Sequence, residues 1–560
     1  MNRHASINRL FRLVRNEALG TWVPVAETRR ARGKRGGRSA ALLATSLAAL
    51  SLAFGAPANA GGPATGLAPS PTQLPTGGIV VAGAATITPG TAPPDSAVLN
   101  IDQSTQRAIL EWNTFNLGNA AQVNFNQPDA ASATLNRVLD SNPSQILGKI
   151  TANGQIFLTN PNGVYFGKSA SVDAGGIVAS ANSIGNADFM AGAITLSRDG
   201  ATGSVVNEGE LRATIAGYVA LLAPEVRNNG VVIARLGTVA MASGESITLN
   251  LDGNHLAGIS VKPSAIAALV ENRGAVLAPG GLIILSAQAL DRLQGGVVNN
   301  SGALEATGLS NRGGRIMLEA SDSVENSGAI SADAGVDGSP AGSVTITAPL
   351  IENSGTISAA ATDSAAATLD NDEALATPLV LASVARPVSG GDIALTASKI
   401  IQMESGSLDA SGNIGGSVTL QATQDLAIAG LTSAAGTDDA ALDFDGRGGA
   451  IALITARNAT LTGALIDASG HGAGGQILVQ GGGAPRPSDP PAEPFTVTVN
   501  GTQLRTSSRR GRGGGATVTG EWVASSATVR SMPRGQRAEA MYSSAAASME
   551  PMRSSPMHAR

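Results

Sequence analysis

Between residues 207 and 355 the tripeptide Asn-x-Gly recurs at coil-like intervals, led by Asn207, Asn228, Asn272, Asn300, Asn326 and Asn353. Successive asparagines stand 21, 44, 28, 26 and 27 positions apart, which reads as a unit of 21 to 28 residues with one doubled step. A second unit is a glycine followed by alternating aliphatic residues, at Gly281, Gly314, Gly342, Gly391, Gly416, Gly449 and Gly475. Its period of two and its short length mark strands rather than helices. No helical pattern of ten residues lies between these strands, so the chain cannot build βαβ units. A β-propeller needs a repeat of about 40 to 50 residues with four strands, and the period here is shorter. The repeat therefore predicts an all-β solenoid in which each unit is one coil and like strands stack into parallel sheets.

Composition agrees. Of 560 residues 70 are Gly, none is Cys, and the only aromatic between Tyr218 and Pro494 is Phe444. Small aliphatic side chains suit a narrow interior in which each layer lies on the next. The glycines are expected at tight corners with positive φ, which Asn also tolerates. The six asparagines, at one corner in coil after coil, are expected to stack into a hydrogen-bonded ladder.

The segment from 75 to 190 is different, holding Trp112, Phe115, Phe125, Phe157, Tyr165, Phe166 and Phe189. A solenoid exposes a bare apolar layer at its end and needs a cap, and this ring-rich segment is the expected one. It contains two Asn-Pro turns, at Asn142-Pro143 and at Asn160-Pro161-Asn162-Gly163. Proline fixes φ early in such a turn and the following Asn-Gly accepts positive φ, so each reads as a rigid turn between strands.

The first 60 residues read as an address. A basic stretch precedes a fifteen-residue apolar run from Ala40 to Phe54, and Ala58 and Ala60 supply the small residues that a signal peptidase reads, with cleavage expected after Ala60. The run is shorter than the about 18 apolar residues that suggest a membrane-spanning helix. Ahead of it lies an extended region, Phe11-Arg12-Leu13-Val14-Arg15-Asn16 through Trp22-Val23-Pro24-Val25-Ala26-Glu27. It resembles the extended signal peptide of large Gram-negative exoproteins, with the pattern YRLVWN…WVAVSE; Phe11 stands for its Tyr and Arg15 for its Trp.

From Asn136-Arg137-Val138 through Asn142-Pro143-Ser144-Gln145-Ile146 to Asn160-Pro161-Asn162-Gly163-Val164-Tyr165-Phe166-Gly167 the chain resembles the secretion domain of two-partner secretion exoproteins. This is the filamentous haemagglutinin N-terminal family, and the likeness is to its high-molecular-weight adhesin and haem–haemopexin-binding branches. The upstream NPNL box of that family has no clear counterpart; Asn126-Gln127-Pro128 occupies the neighbourhood. The resemblance implies a right-handed parallel β-helix with an N-terminal cap. It implies export by the general secretory machinery and signal peptidase, then passage through an outer-membrane β-barrel transporter whose periplasmic domains recognise the N-terminal coils. The secreted product would reside outside the cell or on its surface. Asn160, Pro161, Asn162 and Gly163, with Asn142 and Pro143 behind them, carry over as turn formers needed for secretion. The absence of Cys suits a chain that must stay unfolded in the periplasm, and coil-by-coil folding of the emerging chain is expected to oppose its return.

Other chemistry finds little support. The basic termini leave a middle of net charge −19, which disfavours a nucleic-acid partner. His4, His255, His471 and His558 are too scattered to suggest a metal site by spacing, and none is expected; nor is a cofactor. Asp443-Phe444-Asp445-Gly446 lacks the further ligands of a calcium loop and reads as an acidic turn. Asp409-Ala410-Ser411-Gly412 and Asp467-Ala468-Ser469-Gly470 share a spelling and read as corners. Lys168, Lys262 and Lys399 have no acid cluster at a fixed spacing, so no enzyme is expected. The sequence reading is an adhesin- or haemagglutinin-like exoprotein. A haem- or haemopexin-binding exoprotein is its rival within the family, and a secreted polysaccharide-active β-helix enzyme its rival from another class. The expected organisation is signal region 1–60, linker 61–74, capped secretion domain 75–310, further coils 311–483, then a proline-rich break and a largely disordered basic tail over 484–560. One last strand pair is expected at 495–506 and 516–523.

Overall fold

The computed structural model describes residues 11–16, 21–26, 68–291, 295–361, 387–438, 444–482, 495–520, 522–525, 528–530 and 542–544. Ala58 and Ala60 lie outside them. The chain divides into two compact units, Met1–Gly62 and Pro63–Arg560. In the first, Phe11–Asn16 and Thr21–Ala26 form an antiparallel pair with Phe11 opposite Ala26.

The second unit is the expected β-helix. Each coil supplies three strands in a fixed order, for example Glu225–Asn228, Val231–Ile233 and Thr238–Ser243. Each strand pairs in parallel with its counterpart in the next coil, here Ala268–Asn272, Ala275–Leu277 and Leu282–Ala287. The register is kept side chain on side chain. Ile283, Ile316, Val344, Ile393, Val418, Ile451 and Ile477 lie one above another, all buried, and Leu285, Leu318, Ile346, Leu395, Leu420, Leu453 and Val479 form a second column. Alternation along each strand decides this, as in Arg315–Ala320, where Ile316, Leu318 and Ala320 point inward and their neighbours outward. Each buried Ile or Leu contributes about 1.5–3 kcal/mol over an exposed one, so a slip of one residue, which would turn a column out to solvent, is strongly disfavoured.

The glycines act differently from expectation. The Gly-led segments do not begin at positive φ: neither Gly314, Gly342, Gly391, Gly416, Gly449 nor Gly475 adopts it. A Cβ on Gly342 would stand 1.8 Å from the carbonyl oxygen of Gly314, one on Gly391 2.0 Å from that of Gly342, and one on Gly416 2.0 Å from that of Gly391. Neighbouring coils approach so closely at this corner that only glycine fits.

The doubled step between Asn228 and Asn272 is also corrected. It is one coil, not two: Asn228 pairs directly with Asn272, and the added length is an antiparallel hairpin, Ser246–Asp252 with His255–Lys262. Thr195–Ser197 joins it as a third strand. This small sheet and the helix Asn186–Ala191 cover a second buried cluster outside the coils, in which Phe157, Phe189 and Tyr218 meet Ile247, Leu249 and Leu256. Phe157 and Phe189, two of the rings assigned to the N-terminal region, therefore belong to this outer cluster. Trp112, Phe115, Phe125 and Phe166 belong to the main core. The cap itself is antiparallel: Ile79–Ala82 pairs with Arg107–Trp112, and Ala85–Pro89 with Ala97–Gln103.

The parallel stack runs without a break through residue 310, where Ala303–Glu305 pairs with Ala329–Ser331. It also continues past 484. Thr496–Asn500, Gln503–Arg505 and Gly515–Gly520 stack on the coil before them, and Trp522–Ser525, Thr528–Arg530 and Tyr542–Ser544 stack on those in turn. The solenoid therefore does not end at the proline-rich segment, whose residues 484–494 lie outside the described ones. The last strands are parallel rungs and not an isolated pair.

Candidate functional site

The two Asn-Pro turns are bound to each other. Asn160 is buried, and its side chain uses both ends: Nδ2 donates to the Asn142 carbonyl and to Ser144 Oγ, each at 3.0 Å, while Oδ1 accepts from the Asn162 N–H at 3.0 Å. The Gly163 N–H closes the turn on the Asn160 carbonyl at 2.8 Å, with Pro161 preset at the second position. Positive φ falls on Gly163, at +112°, where a Cβ would meet the Ser204 carbonyl oxygen at 2.6 Å. Asn162 Nδ2 reaches back to the Asp140 carbonyl at 2.8 Å, and the Ser144 N–H donates to the Gly163 carbonyl. On the other side the Asn160 N–H donates to the Ser180 carbonyl, and the Pro161 carbonyl accepts from Gly203. The box is thus clamped between coils, while Asn142, Pro161 and Asn162 remain exposed at its surface. Asp140, Ser144 and Ser180 are partners that sequence reasoning did not single out; nothing in their spacing sets them apart from other loop residues.

The asparagine ladder is present. Asn207 Nδ2 donates to Asn228 Oδ1, Asn228 to Asn272, Asn272 to Asn300, Asn300 to Asn326 and Asn326 to Asn353, every step at 2.8 Å and every member buried. A buried amide whose hydrogen-bonding groups are all engaged fixes register without the cost of an orphaned group. The paired spellings at Asp409 and Asp467 are corners: each carboxylate accepts the N–H two residues on, from Ser411 at 2.9 Å and from Ser469 at 2.8 Å.

Of the histidines, His255 lies at the hairpin turn with Nδ1 against the Ala216 carbonyl at 2.6 Å. His471 has a neighbourhood that its position in the sequence does not announce. Its Nδ1 faces Asp438 Oδ2, and Asp438, Asp445 and His471 each bring a ligating atom within 4.8 Å of the others. Coil stacking does this, setting one coil's corner on the next. Asp443 lies outside the described residues. Lys399 pairs in register with Asp425, whose carboxylate accepts from Asn458 Nδ2.

Comparison with known proteins agrees with this geometry. Residues 87–332 match the TPS secretion domain, and residues 8–56 match the extended signal peptide of the type V secretion system. A two-partner secretion domain behind such a signal makes the chain a two-partner secretion exoprotein, delivered by a Gram-negative bacterium to its surface or the extracellular space. More particularly, it is 32% identical over 263 residues to a heme/hemopexin-binding protein of Haemophilus influenzae strain Rd, and 30% identical over 248 residues to another from Haemophilus influenzae. These alignments cover 45% and 40% of this chain but only 28% and 26% of the relatives. The fold is similar to that of the HMW1 secretion domain of Haemophilus influenzae, with a TM-score of 0.57 at 22% identity over 82% of this chain and 99% of that one.

Proposed function

We propose that the chain is an adhesin- or haemagglutinin-like binding protein without enzymatic activity, exported through a dedicated outer-membrane β-barrel. In this reading the general secretory machinery and signal peptidase act first. The barrel's periplasmic domains then recognise the N-terminal segment, and coils fold one on another outside the cell. The observation that carries the reading is the turn box Asn160–Gly163, whose buried anchor and exposed apex lie inside the matched secretion domain. Nucleic acid has no place in it, given the acidic body. Co-expression with a cognate barrel tests it: Asn160→Ala is expected to abolish release into the medium, whereas Asn353→Ala, outside the matched domain, is released. Equal release of both would overturn the role of the box.

A haem- or haemopexin-binding function is the second reading, favoured by what the two curated relatives are named for. Titration of the secreted protein with haem tests it, and the absence of a Soret shift removes it.

A further inference from the structure

On the corner where one strand of each coil ends and the next Gly-led strand begins, the loops differ in length from coil to coil, and in two successive coils they converge. Asp438 and Asp445 lie on the corner of one coil, and His471 on the corner of the following coil. Their ligating atoms lie within 4.8 Å of one another, at the edge of a cavity of about 540 Å³ whose lining includes Asp438, Asp467, His471, Arg505 and Arg509. We propose that Asp438, Asp445 and His471 bind one divalent transition-metal ion of the zinc type, which ties Asp438 and Asp445 to the corner of the next coil. This goes beyond the secretion and adhesion reading and does not depend on it.

Three features support it. The donor set, one imidazole nitrogen and two carboxylates, is one that zinc accepts with a coordination position left open. His471 Nδ1 is closed off from solvent and makes no hydrogen bond of ordinary geometry, although Asp438 Oδ2 stands against it. Each ligand is also held from behind, as ligands generally are. Asp438 Oδ1 accepts from the Gly446 N–H at 3.1 Å, and Asp445 Oδ1 accepts from Arg510 at 3.0 Å. The His471 carbonyl takes the N–H groups of Arg509 and Arg510 and the Ser508 hydroxyl. The same arginines oppose a hard cation held by carboxylate charge alone, which is why the site fits an ion with affinity for imidazole better than calcium.

The test uses the secreted full chain, stripped with a chelator and titrated with zinc chloride alone, with retained metal counted by elemental analysis after gel filtration. The expected result is one zinc retained per chain, with affinity reduced by at least about tenfold in His471→Ala and in Asp438→Asn and unchanged in His255→Ala. Asp438 is exposed, so its variant keeps the fold even if the His471 variant does not. Cobalt(II) in place of zinc is expected to give a visible ligand-field band that Asp438→Asn removes. No retained zinc, or equal zinc in wild type and Asp438→Asn, would leave an Asp438–His471 ion pair only and overturn the proposal.

Discussion

Asn228 and Asn272 are 44 residues apart in the chain and adjacent in the structure, joined by a 2.8 Å hydrogen bond from Asn228 Nδ2 to Asn272 Oδ1 inside the coil. Asn272 passes the bond on to Asn300, so it is acceptor and donor at once. Replacement by Ala strands a donor on one side and an acceptor on the other in a buried column. The expected cost of Asn272→Ala is about 2–4 kcal/mol, one to two unsatisfied buried groups, read as a lower denaturant midpoint for the coils around it. Asn272→Asp can still accept from Asn228 but cannot donate to Asn300, so it is expected to be destabilising as well. A midpoint within error of wild type for both variants would show that the column contributes nothing.

The glycine corner makes a sharper demand. Gly342→Ala sets a Cβ where the Gly314 carbonyl oxygen would be 1.8 Å away, and no side-chain motion relieves a clash with backbone. The coils must part locally, at a cost of about 3 kcal/mol. Gly258, in the hairpin, has open space for 4 Å around the position a Cβ would take and no positive φ, so Gly258→Ala is expected to be within about 0.5 kcal/mol of wild type. Thermal unfolding of the pair checks the contrast.

These two corners also show what the sequence could and could not disclose. Asn272 and Gly342 were legible because a solenoid repeats its demands, and a buried amide or a missing Cβ recurs at each coil. The physical reason for the glycines was not legible, since positive φ and close backbone approach select the same residue. The hairpin at 246–262 was hidden because its strands alternate with a period of two just as coil strands do, so added antiparallel length looks like one more coil. The box at Asn160 was visible as a turn, but its grip on Ser144 and the Asn142 carbonyl is a matter of stacking. Asp438, Asp445 and His471 were invisible for the same reason: spacing rules assume ligands on one local element, whereas here adjacent corners bring them together.

The hairpin is a separable layer. Leu249 is buried over the outer cluster with Phe157 and Phe189, whereas the parallel strands beneath pair without it. Leu249→Asp places a charge among apolar groups with no partner, which the hairpin avoids by lifting away. The expected outcome is proteolytic cleavage within 244–263 and exposure of Tyr218 and its neighbours to a hydrophobic dye, with the β-sheet circular dichroism of the coils retained. Loss of the whole β signal would mean that the hairpin and the coils unfold together.

On an outer face Glu325 and Glu352 lie in register on adjacent strands. Burial, then Glu352 and then Asp322, hold the Glu325 carboxyl above the usual carboxylate range. A carboxyl with a raised folded-state value binds its proton more tightly when folded than when unfolded, so stability falls as pH rises. The penalty is absent below the ordinary glutamate range and is fully developed once pH exceeds the raised value. Like charges opposed across a sheet cost up to about 1 kcal/mol, and Glu325→Gln removes the repulsion while keeping the shape. That variant is therefore expected to be more stable than wild type at neutral pH by about 0.5 kcal/mol, and to lose the advantage in acid as the wild-type carboxyl takes up its proton. Denaturant melts of both proteins at pH 7 and in acid check it; an advantage that persisted undiminished in acid would assign the effect to packing rather than charge.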